Sequence, residues 1–171
     1  MKLVFVSAIF FFTMMSVCPA QGLDRSNEEK ILRIYNALLG KVKNSVSSKE
    51  KAANIFLKPS NDNLRINAAC VISYQMYVRG MLPQISEKQR KELALMRADE
   101  AQDRMNELLR HSFKLREASG GGEKFDAKLK IPNDEAKVYF TEQKPDGMVS
   151  LRTENVLDWM FSCNGLLAVL N

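Results

Sequence analysis

Residues 86–118 read SEKQRKELALMRADEAQDRMNELLRHSFKLREA and contain neither proline nor glycine. Most of these residues favour a helix intrinsically. Ser86, with Gln89 three residues later, forms a capping-box pattern, and Pro83 lies just upstream. The sequence therefore predicts one continuous helix from Ser86 to Ala118, about 50 Å long. A helix of that length in a small protein needs other helices packed along it.

A seam on this segment indicates how the other helices pack. Small and apolar residues recur at alternating spacings of four and three, which is typical of a helix–helix contact. They are Ala94, Ala98, Ala101, Met105, Leu108, Ser112 and Leu115. The alanines in the first half of the seam would allow a partner helix to approach closely there, and the second half carries larger side chains.

The chain begins with the apolar segment MKLVFVSAIFFFTMMSVCPA, residues 1–20. Lys2 precedes an apolar run, and small residues lead up to Ala20, which is the pattern of a secretory signal peptide. The run is shorter than the roughly 20 apolar residues that span a bilayer. We therefore expect cleavage after Ala20 and a single helical domain, residues 21–171, that is secreted, extracellular and without a membrane span.

The cysteines fit an oxidising compartment. Cys18 lies in the predicted signal peptide, which leaves Cys70 and Cys163 of the three cysteines. Two cysteines outside the cell most simply form one disulfide. In the chain-entropy model such a bond, closing a long loop, contributes on the order of 4–5 kcal/mol. The alternative is two buried free thiols.

Three more helices are predicted. The first begins near Ser26, at a second capping-box pattern with Glu29, and ends at the polar run 44–48 or continues to Leu57. The second runs from about Asn61 to Met81 with a broad apolar face that includes Cys70. The last, Thr153–Leu170, is apolar on almost every side, which is typical of a central helix.

Residues 119–151 have a different pattern. Gly120–Gly122 predict the end of the long helix and a flexible joint. Apolar and charged residues then alternate over 124–131, which is typical of a half-buried strand, and Pro132–Asp134 predicts a turn. Val138–Glu142 and Met148–Leu151 predict a small hairpin around a proline–glycine turn.

The predicted fold class is therefore mainly α. It resembles a four-helix bundle in outline, with one long central helix (about 86–118) and a small β-hairpin or short strands (about 124–151) before the C-terminal helix. A hairpin of this size is marginal alone and must lie on the helices.

Catalytic motifs are scarce in this sequence. His111 is the single histidine, and there is no G-x-S-x-G motif for a serine nucleophile. A metal site can be drawn from one helical face of Glu100, Asp103, Glu107 and His111, but the second set of ligands that a di-metal bundle uses is missing. We therefore favour a solvent-exposed face with Glu107 and His111 as an i,i+4 pair. We predict no catalytic residue, no metal and no cofactor.

The charge pattern argues against nucleic acid. The formal net charge is +5, and basic and acidic residues alternate in nearly equal number along residues 86–118. Such mixing is typical of a solvated helix face and differs from the basic stripe that follows a phosphate backbone.

Two classes of function remain. One is a secreted non-enzymatic interaction protein, of an extracellular signalling, reproductive or host-interaction type, whose helical surface binds an extracellular protein or receptor. The other is an extracellular carrier of a small apolar ligand held between the helices, for which methionines such as Met76, Met105 and Met160 would supply an adaptable lining.

Overall fold

The structure is a computed structural model that describes residues 24–171, so the predicted signal peptide and its cleavage site lie outside it. Seven α-helices and two strands are described: α1 Glu28–Ser45, α2 Lys49–Leu57, α3 Asn61–Met76, α4 Glu87–Glu92, α5 Ala98–Ala118, α6 Gly122–Phe140, β1 Thr141–Gln143, β2 Val149–Leu151 and α7 Thr153–Leu170. A π-helical turn, Tyr77–Met81, and a 3-10 turn, Leu82–Gln84, follow α3. The mainly-α class and the small sheet before the last helix are confirmed.

Helices α3 and α7 form the centre of the molecule. α3 packs against α5, α6 and α7, and α7 also contacts α1 and α2. Buried aromatic side chains fill the space between α1, α6 and α7. The ring centroids of Tyr35 and Tyr139 are 5.2 Å apart, and Trp159 lies 6.1 Å from Tyr35 and 6.4 Å from Tyr139. Aromatic burial on this scale dominates the energetics of a core.

A disulfide joins these two central helices. Cys70 on α3 and Cys163 on α7 are bonded, with their Cα atoms 5.8 Å apart. Both residues are fully buried. The bond therefore ties the last helix of the chain to the middle of the core.

The predicted long helix is divided in two. α4 ends at Glu92 and α5 begins at Ala98, and Ala94 between them adopts a left-handed φ of 49°. The break turns Leu95 and Met96 into the core, each only 7% exposed. Burying two large apolar side chains outweighs one strained residue, which costs of order 1–3 kcal/mol.

The seam is altered in the same way. Ala101, Leu108 and Leu115 are buried as predicted, whereas Ala94 and Ala98 are exposed. Leu95 and Met96, which lie between these alanines in the chain, are buried instead. The close helix approach predicted along the first half of the seam is therefore wrong for Ala94 and Ala98, whereas Ala101 is fully buried.

The helix starts are partly as predicted. Ser86 and Gln89 form the complete capping box of α4. The predicted box of Ser26 and Glu29 does not form, since α1 begins at Glu28 after an uncapped Asn27. The Ser26 amide instead donates to Asp24 Oδ1, at 2.9 Å. The polar run after α1 does end that helix, and Ser48 caps α2.

Residues 124–131 are helical, so the predicted strand is wrong, as is the turn at Pro132–Asp134. Both segments belong to α6. Phe125, Leu129, Pro132 and Ala136, at spacings of four, three and four, form its inner face. The same apolar residues satisfy a strand period over a short window and a helix period over a longer one, and the packing of the helix decides.

The hairpin follows directly from α6. β1 and β2 pair antiparallel, with Thr141 opposite Leu151, and Gly147 adopts a φ of 82° in the turn. Val138, Tyr139 and Phe140, predicted as part of the first strand, are instead the buried end of α6.

The glycine segment forms a defined turn. Gly120, Gly121 and Gly122 have φ values of 89°, 67° and 62°, and the Gly121 amide donates to the Arg116 carbonyl at 2.9 Å. This hydrogen bond satisfies a carbonyl at the end of α5, as in a Schellman motif. Elsewhere, none of the described helices is long and apolar enough to cross a bilayer.

Candidate interaction surface

A groove runs between α1 and α6, and we call it the α1–α6 groove. Its volume is about 390 Å³. Its apolar lining is Ile31 and Ile34 from α1 and Ile131 and Val138 from α6. Ile31 and Val138 belong to the core, whereas Ile131 is 64% exposed. The groove is therefore a place where the apolar interior continues to the surface.

A charged pair crosses one side of the α1–α6 groove. Arg65 of α3 donates two hydrogen bonds to the Glu135 carboxylate, from Nε at 2.6 Å and from Nη2 at 3.0 Å. The hydrogen bonds to Glu135 raise the pKa of Arg65. Bidentate pairing of this kind fixes the relative orientation of the two side chains in addition to pairing their charges. Arg65 and Glu135 thus hold α3 to α6 and form a rigid polar wall.

The rim of the groove carries charges of both signs. Asp24, Lys30 and Asp134 lie there. Asp134 forms an ion pair with Lys137 at 3.4 Å. The hydrogen bonds from Ser26 lower the pKa of Asp24. An apolar floor with a polar rim is the usual anatomy of a protein–protein contact surface.

Buried contacts hold both walls of the groove. The Tyr35 hydroxyl on α1 donates to the Pro132 carbonyl on α6 at 2.8 Å, and the Tyr139 hydroxyl donates to Asn36 Oδ1 at 2.8 Å. Burial raises the pKa of Tyr35 strongly, so its hydroxyl stays a donor. Since two cross-helix hydrogen bonds fix α1 against α6, the groove is preformed.

A network of ion pairs and hydrogen bonds fixes the N-terminus of α1 next to the groove. Arg25 donates to the Thr141 hydroxyl at 2.7 Å and to the Thr141 carbonyl at 3.0 Å. Glu28 accepts from both Arg25 and Arg152. These contacts attach the start of the described chain to β1 and to the start of α7. The contacts of Arg25 with Thr141 and of Arg152 with Glu28 gave no signal in the sequence because these partners are more than 100 residues apart.

The acidic face of α5 has a different outcome. Glu107 pairs with Arg104 at 3.2 Å and accepts from Asn171, so it is not the partner of His111. The His111 ring instead packs on Phe56, with centroids 5.0 Å apart, and burial lowers its pKa. Among the described residues there is no cluster of three or more side chains that could hold a metal ion. Glu100 and Asp103 line a shallow groove with Arg97, Asp99 and Arg104.

A third groove lies beside the π-helical turn. It measures about 430 Å³ and is lined chiefly by apolar side chains, namely Val78, Leu82, Pro83, Ile85 and Ala98, with Glu87 and Arg90. Tyr77 anchors this turn, because its hydroxyl donates to the Met96 carbonyl. Burial raises the pKa of Tyr77 to about 12. This groove gives no signal in the sequence, since it arises from the break between α4 and α5.

Five of the six described methionines lie in or against the core, whereas Met148 is 46% exposed. Met81, Met96 and Met160 are buried, and Met76 and Met105 pack against the same core cluster. They contact aromatic and aliphatic side chains of the core, which is the ordinary role of this flexible residue.

Comparisons with protein-family models, with curated proteins and with solved structures found no match for this chain.

Proposed function

We propose that this protein is secreted and acts, without catalysis, by binding another extracellular protein through the α1–α6 groove. The exposure of Ile131 carries the proposal. A large aliphatic side chain, 64% exposed, lines a preformed groove whose walls combine apolar and charged residues. Exposed apolar surface with a polar rim is a common mark of a protein-binding site.

The predicted signal peptide and the disulfide support the extracellular part of the proposal. The segment MKLVFVSAIFFFTMMSVCPA fits a secretory leader. The Cys70–Cys163 bond fits a protein that matures in an oxidising compartment, because cytosolic proteins seldom keep structural disulfides.

The filled centre favours binding at the surface over carriage of an apolar ligand. Tyr35, Tyr139 and Trp159 occupy the space between α1, α6 and α7, and each is at most 1% exposed. A ligand held there would have to displace side chains that already pack against one another. The α1–α6 groove, by contrast, opens to solvent.

Site-specific photo-crosslinking tests the proposal. A photoreactive amino acid replaces Ile131 in one variant and Leu57 in a control; Leu57 is an exposed apolar residue, 50% accessible, outside the groove. The secreted variants are illuminated on cells or in fluid that contain the partner. We expect one discrete adduct from position 131 and none from position 57, and we expect Ile34→Asp to remove that adduct.

Two outcomes would contradict the proposal. Equal labelling from positions 131 and 57, or no adduct at 131, would show that the groove is not the contact surface. A native mass spectrum that shows a reproducible extra mass of lipid size would instead support an apolar-ligand carrier.

A further inference from the structure

The described apolar residues form two separate clusters. The large one contains most of the buried apolar residues of α1, α2, α3 and α7, Ala101 and Leu108 of α5, and the C-terminal part of α6. The small one contains only Leu64 of α3, Leu115 of α5 and Phe125 of α6, with Leu129 packed against it. A cluster of three side chains contributes far less than the main core, since apolar stabilisation scales with the area removed from water.

Residues 113–131 depend on this small cluster. They comprise the end of α5, the glycine turn and the start of α6, and we call them the α5–α6 arm. Only Leu115 and Phe125 of the arm are buried. The ion pair within the arm, Arg116–Asp126 at 3.3 Å, is exposed and adds little.

The rest of the helical domain, which contains the large cluster, we call the body. Both helices of the arm join it at a weakened helical position. In α6 this is Pro132, which lies inside the helix and has no amide to donate to the carbonyl four residues earlier. In α5 it is Ser112, whose hydroxyl bonds both Asn67 Oδ1 at 2.8 Å and the Leu108 carbonyl at 3.0 Å. A serine hydroxyl that donates to the carbonyl four residues earlier slightly destabilises a helix and often bends it.

Beyond these two positions the helices belong to the body. Leu108 of α5 and Ala136, Val138, Tyr139 and Phe140 of α6 all lie in the large cluster. The boundary between the two clusters therefore coincides with Ser112 on one helix and with Pro132 on the other.

We infer that residues 113–131 open as one cooperative unit, bending at Ser112 and Pro132, while the disulfide-tied body stays folded. Opening exposes the apolar surface of Leu64, Leu115 and Phe125. Cooperative units that open separately from the rest of a protein often coincide with a supersecondary motif, here an αα-hairpin. The arm is thus a conformational device that presents apolar surface without global unfolding.

Hydrogen exchange measured by mass spectrometry on the disulfide-intact protein tests this inference. Phe125→Ala should accelerate amide exchange by about tenfold or more on both sides of the glycine turn, in 113–118 and in 123–131. Exchange in α7 should not change. Phe125→Leu, a smaller perturbation, should produce the same pattern with a smaller increase.

A matched variant in the body serves as the control. Leu38→Ala removes a buried side chain of the large cluster, and it should accelerate exchange in α1 and α7. If Phe125→Ala or Phe125→Leu accelerates α7 as much as the arm, the two clusters form one cooperative unit and the inference is wrong. Acceleration limited to 123–131 would also overturn it, because the arm would then not open as a unit.

Discussion

The body and the α5–α6 arm are both built from amphipathic helices, but the helices of the body make many more contacts with other helices. α7 in the body is buried on most sides, bonded to α3 through Cys70–Cys163 and packed through Trp159 against the rings of Tyr35 and Tyr139. The arm buries two side chains, and a glycine turn joins its two helical segments. Helix formation alone therefore does not determine local stability, and long-range contacts make the difference.

The difference also separates two roles. The body supplies a rigid frame in which α1 and α6 are held at a fixed distance by Tyr35 and Tyr139. The arm supplies the part that can change shape at low cost. Ile131 lies at their junction, next to Pro132 and in the α1–α6 groove.

The largest expected effect comes from removing the disulfide. Replacing Cys70 and Cys163 together by alanine should lower the free energy of unfolding by about 4–5 kcal/mol, because the unfolded chain regains the freedom of a 93-residue loop. Urea titration at equilibrium measures this. In hydrogen exchange the variant should accelerate α7 more than the arm. Equal acceleration in both would erase the contrast between them.

A matched pair of leucines gives the next effect. Leu166 in α7 and Leu115 in the arm are both fully buried, in the large and small clusters respectively. Leu166→Ala should lower the free energy of global unfolding by about 2–5 kcal/mol. Leu115→Ala should lower it by less, since a small surface cluster collapses around the gap more readily. Thermal and urea unfolding of both variants compare them, and equal losses would contradict the account.

A smaller effect is expected at the joint between body and arm. Tyr35→Phe removes the hydroxyl that donates to the Pro132 carbonyl, and with it one cross-helix hydrogen bond between α1 and α6. The cost should be about 0.5–1.5 kcal/mol. Exchange should also rise in the arm, because its base is less firmly held. Tyr139→Phe, which loses a bond to Asn36 away from Pro132, is the control and should leave arm exchange unchanged.

The smallest effect concerns pH. Burial lowers the pKa of His111, with a further contribution from Lys114. The unfolded chain therefore binds a proton at a higher pH than the folded protein does. The stabilisation from neutral His111 is complete above its ordinary pKa of about 6.5 and is lost as the pH falls through the folded value.

His111→Gln isolates this term. The difference in unfolding free energy between wild type and variant should shrink as the solution is acidified below about pH 7, since only the wild type loses the histidine contribution. Urea titrations of both proteins across this range measure it. A difference that grows on acidification would mean that the folded state favours the charged ring.

Much of the fold follows from local pattern. The almost wholly apolar character of Thr153–Leu170 predicts a central helix, and α7 is one. Ser86 and Gln89 predict a capping box that forms. The two cysteines outside the leader predict a pairing that the structure contains. In each case the prediction depends on residues close together in the sequence or on the number of cysteines, so the sequence alone is enough to make it.

The failures arise where distant contacts decide. The break at Ala94 depends on space in the core for Leu95 and Met96, which local propensity does not report. The helix over 124–131 depends on packing of Phe125 against Leu64 and Leu115. Ile131 appeared as one position of a strand pattern, and its place in the groove follows only once α6 is helical. The Arg65–Glu135 pair likewise joins residues far apart in the chain.

Native-state hydrogen exchange of the unaltered protein across a series of low urea concentrations tests the central claim most directly. We predict two groups of amides: those of the arm, residues 113–131, share one low opening free energy, and those of α3 and α7 share a higher one with a steeper urea dependence. A single free energy and a single urea dependence for the arm, α3 and α7 would contradict the division into body and arm.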